Sequence, residues 1–281
     1  MTILVTGATG RVGSRFVPRL LQQAEPVRVL VRDLGRAEFL GRLGAQIVVG
    51  DLRDTGTLDD ALKDVDAVVH LGAAFRGVSD EEAAAINHTA TVKLAESALR
   101  VGVTRFVYAS TTLVYGPGRG RPALEADEPA PPARAYPTSK AAAEKALLQL
   151  HQAEGLPLRI ARLAFVYGDG DPHLAESLLW ARDWPLHQRL HLVHHADVGQ
   201  ALIRAIRANG VDGQVFNVAD DAPVTALELL NLNGEPIAED AASRTLGDPW
   251  EGIADTSKIR RELGFRPVYP TVYTAKDAGA F

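Results

Sequence analysis

Residues 6–13 read Thr6-Gly7-Ala8-Thr9-Gly10-Arg11-Val12-Gly13 and follow directly on the apolar run Ile3-Leu4-Val5. Val12, Phe16, Val17, Leu20 and Leu21 then recur at helical spacing, so the stretch reads as strand, glycine turn, amphipathic helix. Each glycine has its own task in such a turn. Gly7 allows a tight reversal out of the strand, Gly10 withholds a side chain where a pyrophosphate approaches, and Gly13 lets the helix sit close to the sheet. Free N–H groups and the positive end of the helix dipole make the helix start an anion site. The order of these parts points to a dinucleotide.

Working outward, Val27–Val31 reads as a second strand, ending in Arg32-Asp33 about twenty residues beyond the glycines, where the adenosine ribose is usually read. A carboxylate there suits a free 2′-hydroxyl and a guanidinium suits a 2′-phosphate. With Arg32 at the strand end and Arg36 four residues on, the reading favours NADP over NAD. Gln46–Val49 is a third strand leading to Gly50-Asp51-Leu52, where Asp51 faces the adenine amino group or caps the next helix. Ala67–His70 is a fourth, running into the small residues Gly72-Ala73-Ala74, with His70 an ordinary strand-end residue. Strands alternating with helices imply an α/β fold with a doubly wound parallel sheet.

A long Ala-rich helix carrying Asn87 is expected over residues 80–101, and a fifth strand over Phe106–Ala109 delivers Ser110-Thr111-Thr112 to the sheet edge. Gly, Pro and charge mark Gly116 to Pro137 as a surface loop, and Tyr136-Pro137-Thr138-Ser139-Lys140 opens a helix over Ala141 to Ala153. Tyrosine and lysine at i and i+4 share a helical face. A phenol is a poor base at neutral pH, and an ammonium beside it favours phenolate. A hydroxyl from Thr111 would bind the same substrate oxygen, so that hydride and proton pass together between a secondary alcohol and a carbonyl.

The 281 residues, 46% hydrophobic and 23% charged, are ordinary for a globular enzyme. A net charge of -5 with no basic run argues against nucleic acid as partner. There is no cysteine, hence no disulfide or thiolate site. No signal peptide or membrane-length apolar segment is seen, and a cytoplasmic protein is expected. His187, His191, His194 and His195 are close in sequence, but strand geometry would turn His194 away from His191 and His195, so no metal site is expected.

Taken together, TGATGRVG, GDL, LGAA (Leu71–Ala74), Asn87, FVYASTTLVYG (Phe106–Gly116), EADEP, YPTSK, RLAFVYG (Arg162–Gly168), HHADV, FNVADD and DTSKIRRELGFRP resemble the extended short-chain dehydrogenase/reductase, or NAD-dependent epimerase/dehydratase, family over nearly the full length. The resemblance implies a Rossmann-type lobe over 1–162 plus about 191–219, and a small substrate lobe over about 163–190 plus 220–281. It implies catalysis by Thr111, Tyr136 and Lys140, the last also holding the nicotinamide ribose. The cofactor set it implies is Gly7, Thr9, Gly10, Arg11, Val12, Gly13, Arg32, Asp33, Arg36, Asp51, Leu52, Leu71, Gly72, Ala73, Ala74, Asn87, Tyr136, Lys140 and Leu163. It also implies a homodimer through the helices carrying Asn87 and Tyr136.

The departures bear on substrate. Dehydratases of the family place an acidic pair after the catalytic hydroxyl, where this chain has Thr112 and Leu113. Nucleotide-sugar enzymes have an asparagine where Phe165 stands, and their basic residue aligns with Leu190, or with Arg189 after a slip of one. Thr112, Phe165, Arg182 and Trp184 are candidate substrate contacts. The leading expectation is an NAD(P)-dependent reductase or dehydrogenase of a small or sugar-derived substrate. A nucleotide-sugar epimerase with tightly held NAD comes next, and a non-catalytic NADP sensor third.

Overall fold

The computed structural model describes residues 1–281. Its first half alternates strictly: β1 (Ile3–Thr6), α1 (Gly13–Leu21), β2 (Val27–Val31), α2 (Leu34–Arg42), β3 (Gln46–Val49), α3 (Thr55–Leu62) and β4 (Ala67–His70). Then come α4 (Asp80–Ala83), a π-turn (Ala84–Thr89), α5 (Ala90–Arg100), β5 (Arg105–Thr111), a 3₁₀ turn (Thr112–Tyr115), α6 (Ala135–Glu154) and β6 (Leu158–Leu163). The remainder runs β7 (Phe165–Tyr167), α7 (His173–Ala181), β8 (Arg189–Leu190), β9 (Leu192–His194), α8 (His195–Arg207), β10 (Gln214–Val218), β11 (Val224–Thr225), α9 (Ala226–Leu232), α10 (Ser257–Leu263) and α11 (Val272–Asp277).

Seven strands form one parallel sheet in the order β10-β6-β5-β4-β1-β2-β3. β1, β2 and β4 are apolar runs because helices cover both faces, while β3 at the sheet edge is only partly covered. Phe16, Val17 and Leu20 of α1 pack with α8 and α10 residues on one face, and Leu58, Leu62, Leu94 and Leu147 of α3, α5 and α6 pack on the other. Each such side chain contributes about 1.5–3 kcal/mol on burial. Strand order reverses between β1 and β4, opening a crevice at their carboxyl ends, the ligand site of such sheets. The doubly wound Rossmann-type α/β fold is therefore as expected.

A separate apolar cluster of Tyr167, Leu174, Leu178, Leu192, Val224, Leu229, Val272 and Ala275 joins β7, α7, β9, α9 and α11. The pairs β7–β9, parallel, and β8–β11, antiparallel, stand apart from the main sheet. No helix is long and apolar enough to cross a membrane.

Three local expectations need correction. The helix expected over 80–101 is interrupted by the π-turn, which holds buried Asn87. β5 continues through Ser110 to Thr111, because polar residues at a strand end still pair with β6, Thr111 opposite Leu163. α6 starts at Ala135, six residues earlier than expected, since Pro137 lies in the first turn where an N–H has no intrahelical acceptor to lose.

Candidate active site

The glycine turn is built by contact. An added Cβ on Gly7, whose φ is +71°, would lie 2.5 Å from the Gly72 nitrogen, and one on Gly13 would lie 2.2 Å from the Gly7 oxygen. On Gly10 it would meet only the Gly7 oxygen, at 3.2 Å. Gly7 and Gly13 are thus consumed by packing of β1, β4 and α1, while Gly10 leaves its outer side open. The amides of Arg11, Val12 and Gly13 donate to no group within the protein. Open backbone and unpaired N–H groups at a helix start fit a dinucleotide pyrophosphate.

Arg11 contributes only backbone here. Its guanidinium reaches across to Asp171 (2.6 Å) and Glu176 (2.7 Å), ahead of and within α7. Asp171 also receives His195 Nε2 at 2.9 Å. Burial pushes its carboxyl up, but the hydrogen bonds from His195 and Arg11 outweigh this and hold it far below the usual range.

At the ribose end, Arg32 is exposed, Asp33 caps α2 by accepting from the Arg36 amide (3.3 Å), and Arg36 donates to the Thr9 carbonyl (3.2 Å). The α3 cap is Asp54, correcting that alternative for Asp51, which is chelated by Arg53 and held at about 2 by those hydrogen bonds. Leu52 lies near Gly72, and Leu71 to Ala74 follow β4 beside the glycine turn.

Asn87 is held by hydrogen bonds within the protein. Its Nδ2 donates to the Ala74 carbonyl and to Ser139 Oγ, each at 2.9 Å, and its Oδ1 accepts from the Ala74 amide at 2.7 Å. With both amide hydrogens used, Asn87 braces the turn after β4 against α6. Behind it, Thr91 Oγ1 donates to the Asn87 carbonyl, which makes His70 Nε2 the donor to Thr91 (2.8 Å) and His70 Nδ1 the acceptor from Thr6 (2.5 Å). Burial lowers His70 to about 3, so it stays neutral.

Tyr136 and Lys140 lie one turn apart on α6, and Thr111 ends β5 with Oγ1 accepting from the Leu113 amide at 3.2 Å. Lys140 Nζ donates to the Ala109 carbonyl (2.8 Å) and lies 4.5 Å from the Tyr108 ring centroid and 6.0 Å from that of Tyr136. The expected lowering of the phenol pKa is not what this arrangement produces. Burial pushes Tyr136 up, and burial brings Lys140 down to about 7 despite Glu144, which favours its charge. Glu144, one further turn along, is itself held by Arg162: Nη2–Oε2 is 2.6 Å, Nε lies 3.1 and 3.2 Å from the two oxygens, and both side chains are buried. Sequence reading missed this pair. Its signal was the continued four-residue spacing Tyr136, Lys140, Glu144 on one helix face.

On the substrate side, Phe75 stands edge-on to Tyr136 at 4.7 Å and to His173 at 5.5 Å, and His173 stacks on Phe165 at 4.3 Å. The structure thus links Phe165 to Tyr136 of α6 through Phe75 and His173, two aromatic residues that sequence reading did not single out. Thr112 lines a small cleft with Tyr115, Gly116, Arg119 and Trp250. Arg182, by contrast, pairs with Glu235, and Trp184 packs on Trp180 at 4.8 Å. The histidine expectation is corrected in one respect: His195 opens α8 instead of ending a strand, and His194 caps that helix through the Ala196 amide. A hollow of about 720 Å³ is lined by residues of α1, α8 and α10 and their flanks, none of them from this site.

Residues 3–219 match the model of the NAD dependent epimerase/dehydratase family. The dTDP-glucose 4,6-dehydratase of Streptomyces griseus is 31% identical over 296 residues, 94% of this chain and 89% of its own. A 4-hydroxy-2-methyl-3-oxo-4-farnesyl-3,4-dihydroquinoline-1-oxide ketoreductase of Stigmatella aurantiaca is 30% identical over 244 residues, 83% of this chain and 72% of its own. Among solved structures, a short-chain dehydrogenase/reductase superfamily protein from Agrobacterium tumefaciens with bound NAD superposes with a TM-score of 0.80 at 26% identity, covering 99% of this chain and 96% of that one. With a glycine turn at the β1–β4 crevice and Tyr136 one turn ahead of Lys140 on α6, the chain belongs to the NAD-dependent epimerase/dehydratase family and is an extended short-chain dehydrogenase/reductase enzyme.

Proposed function

We propose that the protein interconverts a secondary alcohol and a ketone on a small or sugar-derived substrate, with net consumption of NAD(P)(H). The observations that support this reading are that Lys140 Nζ, 6.0 Å from the Tyr136 ring centroid, donates to the Ala109 carbonyl of β5, the strand that ends at Thr111, and that Arg11, Val12 and Gly13 carry unpaired amides after β1. When bound, the nicotinamide dinucleotide supplies or accepts the hydride. Gly10 and the three amides would hold its pyrophosphate, and Lys140 its nicotinamide ribose. Thr111 orients the substrate oxygen, and Tyr136 gives it a proton in reduction or takes one in oxidation. Thr112 and the half-exposed Leu113 supply no acid or base for eliminating water, which sets the chain apart from the dehydratase relative.

Arg32 and Arg36 make no carboxylate ion pair, which supports a 2′-phosphate and hence NADP; the Agrobacterium structure holds NAD. Melting-temperature shifts with the four nicotinamide cofactors test this, since a ligand of the native state alone raises the midpoint. NADPH should stabilise more than NADH, and Arg32→Ala should weaken NADPH about tenfold, as loss of one charged hydrogen bond does, while sparing NADH. Equal shifts in both proteins would refute the assignment to Arg32.

The reduction rate should respond to Lys140. As a base lowered to about 7, it is charged below that pH and neutral above. Tyr136, pushed up, stays protonated throughout. Ketone reduction should therefore slow as pH rises through about 7, and Lys140→Met should lose that limb from the profile of kcat/KM.

A second reading, a nucleotide-sugar epimerase, draws on the cleft from Thr112 to Trp250. The Arg189 guanidinium lies 4.7 Å from the Trp250 ring centroid and donates to the Pro249 carbonyl, leaving a cation on an indole face near that cleft. Cofactor recycled without net consumption during turnover of UDP-glucose would select this reading. Binding without any turnover would select the sensor. We further propose a homodimer through the helices carrying Asn87 and Tyr136, the π-turn with α5 and α6, supported by partly exposed Ile86, Val92 and Ala146 and exposed Ala142.

A further inference from the structure

Along α7, His173, Ser177 and Trp180 recur at i, i+4 and i+7, which puts them on one helical face. Phe165 touches that face at both ends, parallel to His173 at 4.3 Å and edge-on to Trp180 at 5.9 Å, so Ser177 lies between them. His173 and Ser177 are only 9% and 1% exposed, yet His173 Nε2 and Ser177 Oγ have no hydrogen-bond partner. Folded proteins pair buried polar groups as a rule, and those left over concentrate where a ligand or reaction uses them. His173 is joined to the candidate site through Phe75, and Ser177 lies one turn further along the same helix face. Phe75 stands edge-on to both the His173 imidazole and the Tyr136 phenol, and it sits on the turn after β4, 37% exposed.

We propose that His173 and Ser177 are specificity-determining residues that bind a second oxygen of a ring-shaped alcohol or ketone, its ring stacked among Phe75 and Phe165 while its reacting C–O meets Tyr136 and Thr111. This rests on the oxidoreductase reading above. An imidazole and a hydroxyl each donate or accept, so the pair suits a hydroxyl or carbonyl oxygen. Both groups are neutral, so it does not select an anion; His173 is held uncharged by burial and by Arg76. A cyclic ketone bearing a free hydroxyl and the sugar ring of a nucleotide sugar both carry this chemistry.

The test titrates the cofactor-loaded protein with 1-tetralone, 6-hydroxy-1-tetralone and UDP-glucose, reading tryptophan fluorescence, since Trp180 adjoins Phe165, alongside kcat and KM. The variants are His173→Phe, which keeps the stacked ring and removes its nitrogens, and Ser177→Ala. Wild type should bind 6-hydroxy-1-tetralone or UDP-glucose, and each variant should weaken that ligand about tenfold, mainly in KM. Loss of preference for 6-hydroxy-1-tetralone over 1-tetralone assigns the site to a free hydroxylated ring; the same loss for UDP-glucose assigns it to a sugar. Ser177→Ala should melt at or above the wild-type temperature, because it removes a buried unpaired polar group. Variants that melt lower and bind as wild type, or a wild type that binds neither oxygenated ring, would overturn the proposal. Failure of all four nicotinamide cofactors to raise the wild-type midpoint would instead overturn the reading on which it rests.

Discussion

Tyr136→Phe should lower kcat for ketone reduction by about 10²–10⁴-fold, the range for loss of a positioned proton donor. The substitution removes one oxygen and leaves the ring, so the edge-on contact with Phe75 at 4.7 Å and the helix face shared with Lys140 persist. Cofactor-induced stabilisation should therefore stay within experimental error of wild type, because Gly10 and the free amides of the glycine turn are untouched. Thermal shift and turnover together separate the two outcomes. A variant that binds cofactor and retains more than a tenth of the rate would remove Tyr136 from the proton path. A variant that loses both and melts below wild type without cofactor would point to a broken fold.

Glu144→Leu should cost about 3–5 kcal/mol, since removing one member of a buried ion pair strands the other charge. Arg162 is bidentate on Glu144, both side chains are at most 3% exposed, and no other carboxylate pairs with it. At roughly 2–4 °C per kcal/mol for a chain of this size, the melting temperature should fall by about 10 °C. The double variant Glu144→Leu, Arg162→Met should recover much of this, because an apolar pair of similar volume is often as stable as the ions it replaces. Recovery should be incomplete, since Arg162 also stacks on Tyr115 at 4.6 Å and reaches the Glu125 carbonyl. Glu144 also favours the charged form of Lys140. Without it the ammonium loses its proton more readily, and the fall of reduction rate with pH should move to lower pH. Calorimetry gives the first effect and the pH profile the second. A single variant as stable as wild type would refute the account.

Local periodicity carried most of the fold. The runs at Ile3, Val27 and Ala67 are apolar because these parallel strands are covered on both faces, and that leaves little ambiguity in the sequence. What escaped sequence reading depended on partners distant along the chain. Asn87 was legible as important, but its brace from Ala74 to Ser139 spans 52 residues to the far partner and has no local signature. Phe75 and His173 are 98 residues apart and meet only because the turn after β4 and the start of α7 border the same crevice. The start of α6 was misplaced because Pro137 reads as a breaker unless the helix is known to have begun two residues earlier. The charge state of Lys140 was misjudged for a related reason, because burial is a property of the packed molecule and not of the spacing of Tyr136 and Lys140.

The Asn87 brace has a consequence for how such an enzyme can diversify. One amide fixes the turn after β4 and the helix bearing Tyr136 and Lys140 into a single frame. β7 and α7 are packed in their own apolar cluster and reach the glycine turn through the Arg11 side chain. Mutation can therefore reshape the walls around the substrate without disturbing the reaction centre. That separation gives evolution a fixed chemistry with an adjustable clientele.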